Sequence, residues 1–522
     1  MPNGAHALIR TLADAGVDTC FTNPGTSEIH LVAALDSVPE MRAVLTLFEG
    51  VATGAADGYA RMAGRPAATL LHLGPGLGYG VANLHNARRA KVPVVSIVGD
   101  HATFHAGYDP PLQSDIETVA HNVSSWVRTS RSAQELARDA VDAVAAATGP
   151  PGQVATLIVP ADVSWREGAE PLAPPQQPDP PPASPEAIEA VAGTLRRGGR
   201  TGILLGGRAL HGRGLMAAAR ISAATGARLF AERSTPRLER GAGLPAVERL
   251  AYWPELAAKQ LDGLEQLVLV DAKPPVSWFA YPGAPSSLAP PGCQVRELSP
   301  PSSDVLRSLE ALVEALGAAA AEPALQSASR PEPPEGPLTA QKACQAIGAI
   351  LPEGAIISDE AITSAVALPA STAGGPRHDW LTLTGGAIGQ GLPVAVGAAI
   401  ACPERPVLAL EADGSAQYTI QSLWTMAREQ LDVTVVIFNN RGYGILDAEL
   451  GRLDEPSVGP KARALLTLGG PDVDFVELGT GYGVASQRVE TAEELTGALQ
   501  AAIADPGPHL IEAILPAVGR AE

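Results

Sequence analysis

The sequence predicts three consecutive α/β blocks, each a doubly wound parallel sheet with helices on both faces. Three observations carry that expectation. Short apolar runs without polar alternation recur along the chain, which is how strands buried on both faces read. Helix-length segments separate them, so successive strands are expected to run parallel. Two proline-rich stretches, residues 171–185 (PLAPPQQPDPPPASP) and 321–337 (AEPALQSASRPEPPEGP), interrupt the pattern. Proline cannot donate to a ladder and favours extended, solvated chain. The expected blocks are therefore 1–170, 186–320 and 338–522 of a 522-residue chain, each of ordinary domain size.

In the first block, 67–71 (AATLL) and 92–98 (VPVVSIV) read as strands. In the second, 202–205 (GILL) ends in Gly206-Gly207, a helix covers 215–224, and 266–270 (QLVLV) is another strand. In the third, 355–358 (AIIS), 407–412 (VLALEA) and 433–438 (VTVVIF) are strands with helices between them. Ligands of such sheets gather at the carboxyl ends of the strands.

Composition narrows the classes of partner. The formal net charge is −19, from 37 basic and 56 acidic residues, without a run of Lys or Arg. A phosphate backbone calls for a basic face, so no nucleic-acid partner is expected. The cysteines Cys20, Cys293, Cys344 and Cys402 show neither CxxC nor metal spacing, and read as reduced thiols. The first residues lack a signal peptide's apolar core, and the weakly polar stretch 391–402 is about half a membrane span. The expected setting is the cytoplasm, away from membranes.

The chemistry is expected where 407–412 runs out into Asp413-Gly414-Ser415, followed by a helix over 417–428 with Ser415 at its N-cap. Free N–H groups of that first turn favour an anion. Strand 433–438 then ends in Asn439-Asn440, followed by Arg441-Gly442. Neighbouring parallel strands would present a carboxylate and an amide side by side. Hard oxygen donors beside a phosphate-friendly turn suit Mg²⁺. Asp-Gly alone is an ordinary turn signal; the Asn-Asn on the next strand makes it a candidate metal pair. Glu49 is a lone acid after the run 44–48; on its own such a residue reads more often as an acid facing solvent at a strand end. His72 follows strand 67–71 and precedes what reads as a Gly74-Pro75-Gly76 loop. A lone histidine is most often a surface or satisfied core residue.

Asp-Gly-Ser, a helix, a strand and Asn-Asn resemble the diphosphate–Mg²⁺ motif of thiamine-diphosphate enzymes. The resemblance extends to Asn23-Pro24-Gly25-Thr26, Glu49 followed by Asp57-Gly58-Tyr59-Ala60-Arg61, His72, Gly385-Gly386-Ala387-Ile388-Gly389 and Leu423-Trp424, in the order of the acetolactate synthase and benzoylformate decarboxylase group. It covers nearly the whole chain and is most similar to acetolactate synthase large subunit-like proteins. It implies a pyrimidine-binding first domain, a middle domain and a pyrophosphate-binding third domain. Asp413, Asn440 and the Gly442 carbonyl would hold Mg²⁺. Gly414, Ser415 and Thr363 would meet the diphosphate. Ile388 would lie under the thiazolium, and the Gly386 carbonyl would receive the 4′-amino group. Glu49 would hold a proton at the aminopyrimidine ring, a state that burial favours, and so activate the thiazolium carbon. Thr26 and His72 would contact substrate and move protons, with His101 and His105 weaker candidates nearby. In that family the cofactor lies between subunits, so a homodimer or homotetramer is implied.

The sequence also departs from the family pattern. Ala412 replaces a glycine before Asp413, and Glu411 is an unexplained acid within a strand. The second histidine of benzoylformate decarboxylases is not apparent in Val276-Ser277-Trp278-Phe279-Ala280-Tyr281. The acetolactate synthase Met-Val-x-Gln-Trp stretch is replaced by Gly444-Ile445-Leu446-Asp447-Ala448-Glu449. Gly206-Gly207-Arg208 is a weak Rossmann-type turn, so FAD is not the favoured expectation. The implied activity is decarboxylation of a small 2-oxo acid, releasing an aldehyde or ligating a second carbonyl compound. Acetolactate synthase proper is the runner-up and would need a cation such as Arg441 for the acceptor's carboxylate. A catalytically silent partner subunit is a third reading. An unrelated Mg²⁺–nucleotide binder would need a GxxxxGK[ST] loop, which is missing.

Overall fold

A computed structural model describes residues 3–175, 178–453 and 459–517 of the chain; Gln176 and Gln177 of the first proline-rich stretch lie outside them. Three sheets form, as the uninterrupted apolar strands require. The first has six parallel strands in the order Arg42–Leu45, Thr19–Asn23, Ala67–Leu71, Val94–Asp100, Val154–Pro160, Trp126–Thr129. The second has five, Glu248–Arg249, Arg228–Ala231, Thr201–Leu205, Gln266–Val270 and Gln294–Ser299, also parallel. The third runs Ala485–Val489, His509–Ile514, Val433–Asn439, Val407–Ala412, Ile356–Glu360, His378–Thr382, Leu238–Arg240. No helix among the described residues is long and apolar enough to cross a membrane.

The blocks are less self-contained than the sequence predicts. Leu238–Arg240, from the middle of the chain, closes the third sheet as an antiparallel edge strand on His378–Thr382. The stretch 321–337 is not simply solvated: Gln326 N–H donates to the Leu244 carbonyl (2.9 Å) and Ser329 N–H to that of Gly374 (2.8 Å). Asp57 and Arg61, side chains wholly buried and 2.6 Å apart, act between blocks. Arg61 also donates to the carbonyls of Thr382 (2.9 Å) and Pro236 (3.3 Å). Removing one partner of such a pair costs about 3–5 kcal/mol, because the other charge stays buried.

Three local expectations need correction. Gly74-Pro75-Gly76 is no loop but the first turn of the helix Leu73–Ala90. Pro75 costs no hydrogen bond there, since first-turn N–H groups lack intrahelical partners. The helix expected over 417–428 is two, Asp413–Thr419 and Ser422–Glu429. Ser415 is therefore not the N-cap; Ala412 is, and Ser415 lies inside the first turn.

Candidate active site

The third block builds one half of the site. Val407–Ala412 and Val433–Asn439 are parallel neighbours with Ala412 opposite Phe438, so Asp413 and Asn440 leave adjacent strand ends. Asp413 is buried and opens its helix. Its Oδ1 accepts the Gly414 N–H (2.8 Å) and its Oδ2 the Gly442 N–H (3.3 Å), which Asn440 Oδ1 also accepts (3.1 Å). The carboxylate and amide thus converge on one point. Burial pushes the Asp413 carboxyl up to about 6, against backbone donors that lower it. The carboxylate meets backbone N–H groups and lies beside the Asn440 amide oxygen, with no ion pair to it among the described residues. Thr363 stands beyond the next strand end, half-buried, after Ile362 in the left-handed region (φ 51°).

Glu411, without a role at the sequence level, sits wholly buried beside Glu360, a residue the sequence did not single out. Glu360 accepts the N–H groups of Gly389 (2.9 Å) and Gly391 (2.6 Å). Ser415 Oγ donates to Glu411 Oε2 (3.0 Å), so this hydroxyl is engaged below the turn. Burial pushes Glu360 up to about 7, and burial with the Glu360 charge pushes Glu411 well above the carboxylate range. A carboxyl whose folded value exceeds its unfolded one stabilises fully below the unfolded value, 4.5 for Glu360, and loses that stability as pH rises through about 7. Glu411→Gln is therefore expected to gain thermal stability on the parent as pH rises from about 5 to about 8, read by melting temperature. A constant offset across that range would contradict it.

The first block builds the other half. Glu49 does not end a strand facing solvent: it opens the helix Glu49–Ala63 and is 6% exposed. Close by is a dyad the sequence did not reveal. Glu28, at 0% exposure, accepts from His72 Nδ1 (2.7 Å) and from the Gly25 N–H (3.0 Å) through Oε2. Gly25 must lack a side chain, because the His72 ring occupies that space. Burial pushes the Glu28 carboxyl up and His72 partly offsets it. With Nδ1 held by Glu28, Nε2 is the ring nitrogen left to exchange a proton. A Cβ at Gly76 would lie 3.3 Å from both Glu49 Oε1 and His72 Cβ, so the two side chains share one wall. Thr26, exposed, starts the short 3₁₀ turn that ends at Glu28. His101 and His105 stack edge-on in the segment after Val94–Asp100, with ring centroids 5.7 Å apart.

The loop 385–389 carries Gly386, whose φ of 82° requires glycine, and the half-buried Ile388. Trp278 lies against Gly386. The region expected to lack a histidine thus supplies aromatic surface: Trp278 packs on Tyr252 (5.9 Å between centroids). Tyr252 and Tyr281 donate to Glu449 Oε1 (3.2 and 2.7 Å) on the helix Gly444–Leu450. No hydrogen bond or ion pair among the described residues joins Glu49 or His72 to Asp413 or Asn440.

The donor set fits thiamine diphosphate with Mg²⁺: a buried acid and amide converging on a turn, and a glycine loop at the ring end. No group of three or more His, Cys, Asp or Glu that could hold a metal occurs among the described residues. The Gly206-Gly207 turn of the middle block is filled from within the chain, with Asp271 Oδ2 accepting the Arg208 N–H (2.9 Å).

Comparison with known proteins agrees. Residues 2–123 match the N-terminal, and 365–513 the C-terminal, thiamine pyrophosphate-binding domain of thiamine pyrophosphate enzymes. A Mycobacterium tuberculosis protein provisionally named acetolactate synthase large subunit IlvX is 58% identical over 99% of both chains. Benzoylformate decarboxylase of Pseudomonas aeruginosa is 29% identical, covering 95% of this chain and 96% of its own. The fold superposes on the thiamine diphosphate-dependent 4-hydroxybenzoylformate decarboxylase of Rhodococcus jostii RHA1 with a TM-score of 0.86, over 99% of both chains at 24% identity.

Proposed function

Because the chain belongs to the thiamine pyrophosphate enzyme family, we propose that it decarboxylates a 2-oxo acid, with Mg²⁺ holding the diphosphate at Asp413, Asn440 and the Gly442 carbonyl. Bound thiamine diphosphate supplies the carbon nucleophile and the electron sink. Glu49 holds a proton at the cofactor's aminopyrimidine nitrogen. Ser415 and Thr363 would border the diphosphate, the Gly386 carbonyl would receive the amino group, and Ile388 would support the ring. Among the described residues no hydrogen bond or ion pair links Glu49 or His72 to Asp413 or Asn440, which favours a site shared by two subunits, in a dimer or a tetramer.

The Glu28–His72 dyad is the observation that carries the choice of reaction. It places an oriented imidazole beside Glu49, able to deliver a proton to the carbon that has lost CO₂. That favours aldehyde release over ligation to a second 2-oxo acid. Arg441, the cation the acetolactate synthase reading needs, faces Asp472 at 3.9 Å. The aromatic surface of Tyr252, Trp278 and Tyr281 suits an aromatic or branched substrate better than pyruvate. A panel of 2-oxo acids with products identified by mass spectrometry tests this. Aldehyde from an aromatic or branched acid is expected. Acetolactate from pyruvate as the main product would reverse the choice.

A further inference from the structure

We propose that Asn83 and Asn86 position the loop 385–389 by clamping it to the helix that begins at Glu49, and so set the ring end of the cofactor site. The inference rests on the roles proposed above for Glu49, Gly386 and Ile388, and extends them to two residues outside the short motifs quoted for the resemblance.

Both asparagines lie on the helix Leu73–Ala90, three residues apart and hence on one face. Asn83 is 3% and Asn86 0% exposed. Asn83 Nδ2 donates to the Gly50 carbonyl (2.8 Å) and to the Gly389 carbonyl (3.1 Å). One amide group therefore joins the residue after Glu49 to the residue after Ile388. Asn86 Nδ2 donates to Asn83 Oδ1 (2.9 Å) and to the Ala387 carbonyl (2.8 Å), and Asn86 Oδ1 accepts the Ala387 N–H (3.3 Å). Ala387 thus has both backbone groups held by one side chain. His85 Nε2 meets the Gly385 carbonyl (3.1 Å), and Thr384 Oγ1 donates to the Asn86 carbonyl (2.8 Å).

The loop has no ladder or helix to fix it, and two of its glycines have φ of 82° and 92°. Its shape is held by these bonds, together with those of Gly389 to Glu360 and Thr419. Paired polar groups in a buried network fix one another, and losing one member leaves several groups unpaired. The carbonyl of Gly386 and the side chain of Ile388 alternate with the clamped Gly385, Ala387 and Gly389. Clamping the odd-numbered residues orients the even-numbered ones. If each Glu49 serves a site completed by another subunit's loop, the same amide also lies between two sites of a dimer.

Thiamine diphosphate and inorganic pyrophosphate, each with Mg²⁺, are titrated by calorimetry into the cofactor-free parent, Asn83→Ala and Asn86→Asp. Affinity for thiamine diphosphate is expected to fall about tenfold or more in both variants while that for pyrophosphate stays within about twofold. Amides 385–389 are expected to exchange hydrogen faster in the cofactor-free variants. Equal weakening of both ligands, or of neither, would overturn the clamp, as would failure of both variants to fold, which assigns the pair to stability alone. A parent that binds thiamine diphosphate no better than pyrophosphate would instead remove the reading of the site, and the clamp with it.

Discussion

Glu49→Gln is expected to lower turnover by about 10²–10⁴-fold, the scale of a lost proton-transfer group, while the affinity for thiamine diphosphate stays within a few-fold. The substitution keeps size and shape but removes the titratable proton. Glu49 is positioned for that role by its place at a helix start, 6% exposed, with no hydrogen bond from the described residues to its carboxyl. A carboxyl without a hydrogen-bond partner among the described residues is available to a ligand. On the proposed reading the cofactor is anchored mainly at its diphosphate end, by Asp413 and Asn440, which the substitution does not touch. Steady-state rates with the best 2-oxo acid and calorimetry on the same preparation separate the two effects. Turnover equal to the parent's would remove Glu49 from the chemistry, whereas lost cofactor binding would make it an anchor.

The order of strands and helices was legible because strands buried on both faces read as unbroken apolar runs, as in Val407–Ala412 and Val433–Asn439. The pairing of Asp413 with Asn440 followed from that order, since adjacent parallel strands end side by side. What escaped was set by contacts between distant segments. Glu28 looks like an exposed turn acid until His72, 44 residues on, closes over it. Leu238–Arg240 is too short to read as a strand without the edge it completes. Asn83 and Asn86 read as solvated helix residues, and nothing local shows that a loop some 300 residues later covers them (|i−j| of 306 and 301). Glu411 is unaccountable in its own strand because its counterpart, Glu360, belongs to the neighbouring one. Repulsion between two buried carboxyls on adjacent strands is a property of the sheet, invisible in either strand.

Asp413→Ala is expected to abolish Mg²⁺-dependent cofactor binding, weakening it beyond the roughly 10–100-fold typical of losing a residue that only supports a metal ligand. The same substitution should leave the cofactor-free protein at least as stable as the parent at pH 7. Asp413 is pushed from 3.8 to about 6, so its stabilising contribution is complete below 3.8 and is lost as pH rises through about 6. At neutral pH the parent therefore carries an ionised, buried carboxylate whose charge is useful only when a cation meets it. Mg²⁺ and thiamine diphosphate should raise the melting temperature of the parent with ligand concentration, as mass action requires, and leave that of Asp413→Ala unmoved. Paired melting curves with and without ligand, from about pH 5 to about pH 8, read both halves of the prediction. A variant that melts well below the parent without ligand would make Asp413 a structural residue of the turn. A variant that keeps the ligand-induced rise would take the cation away from this carboxylate.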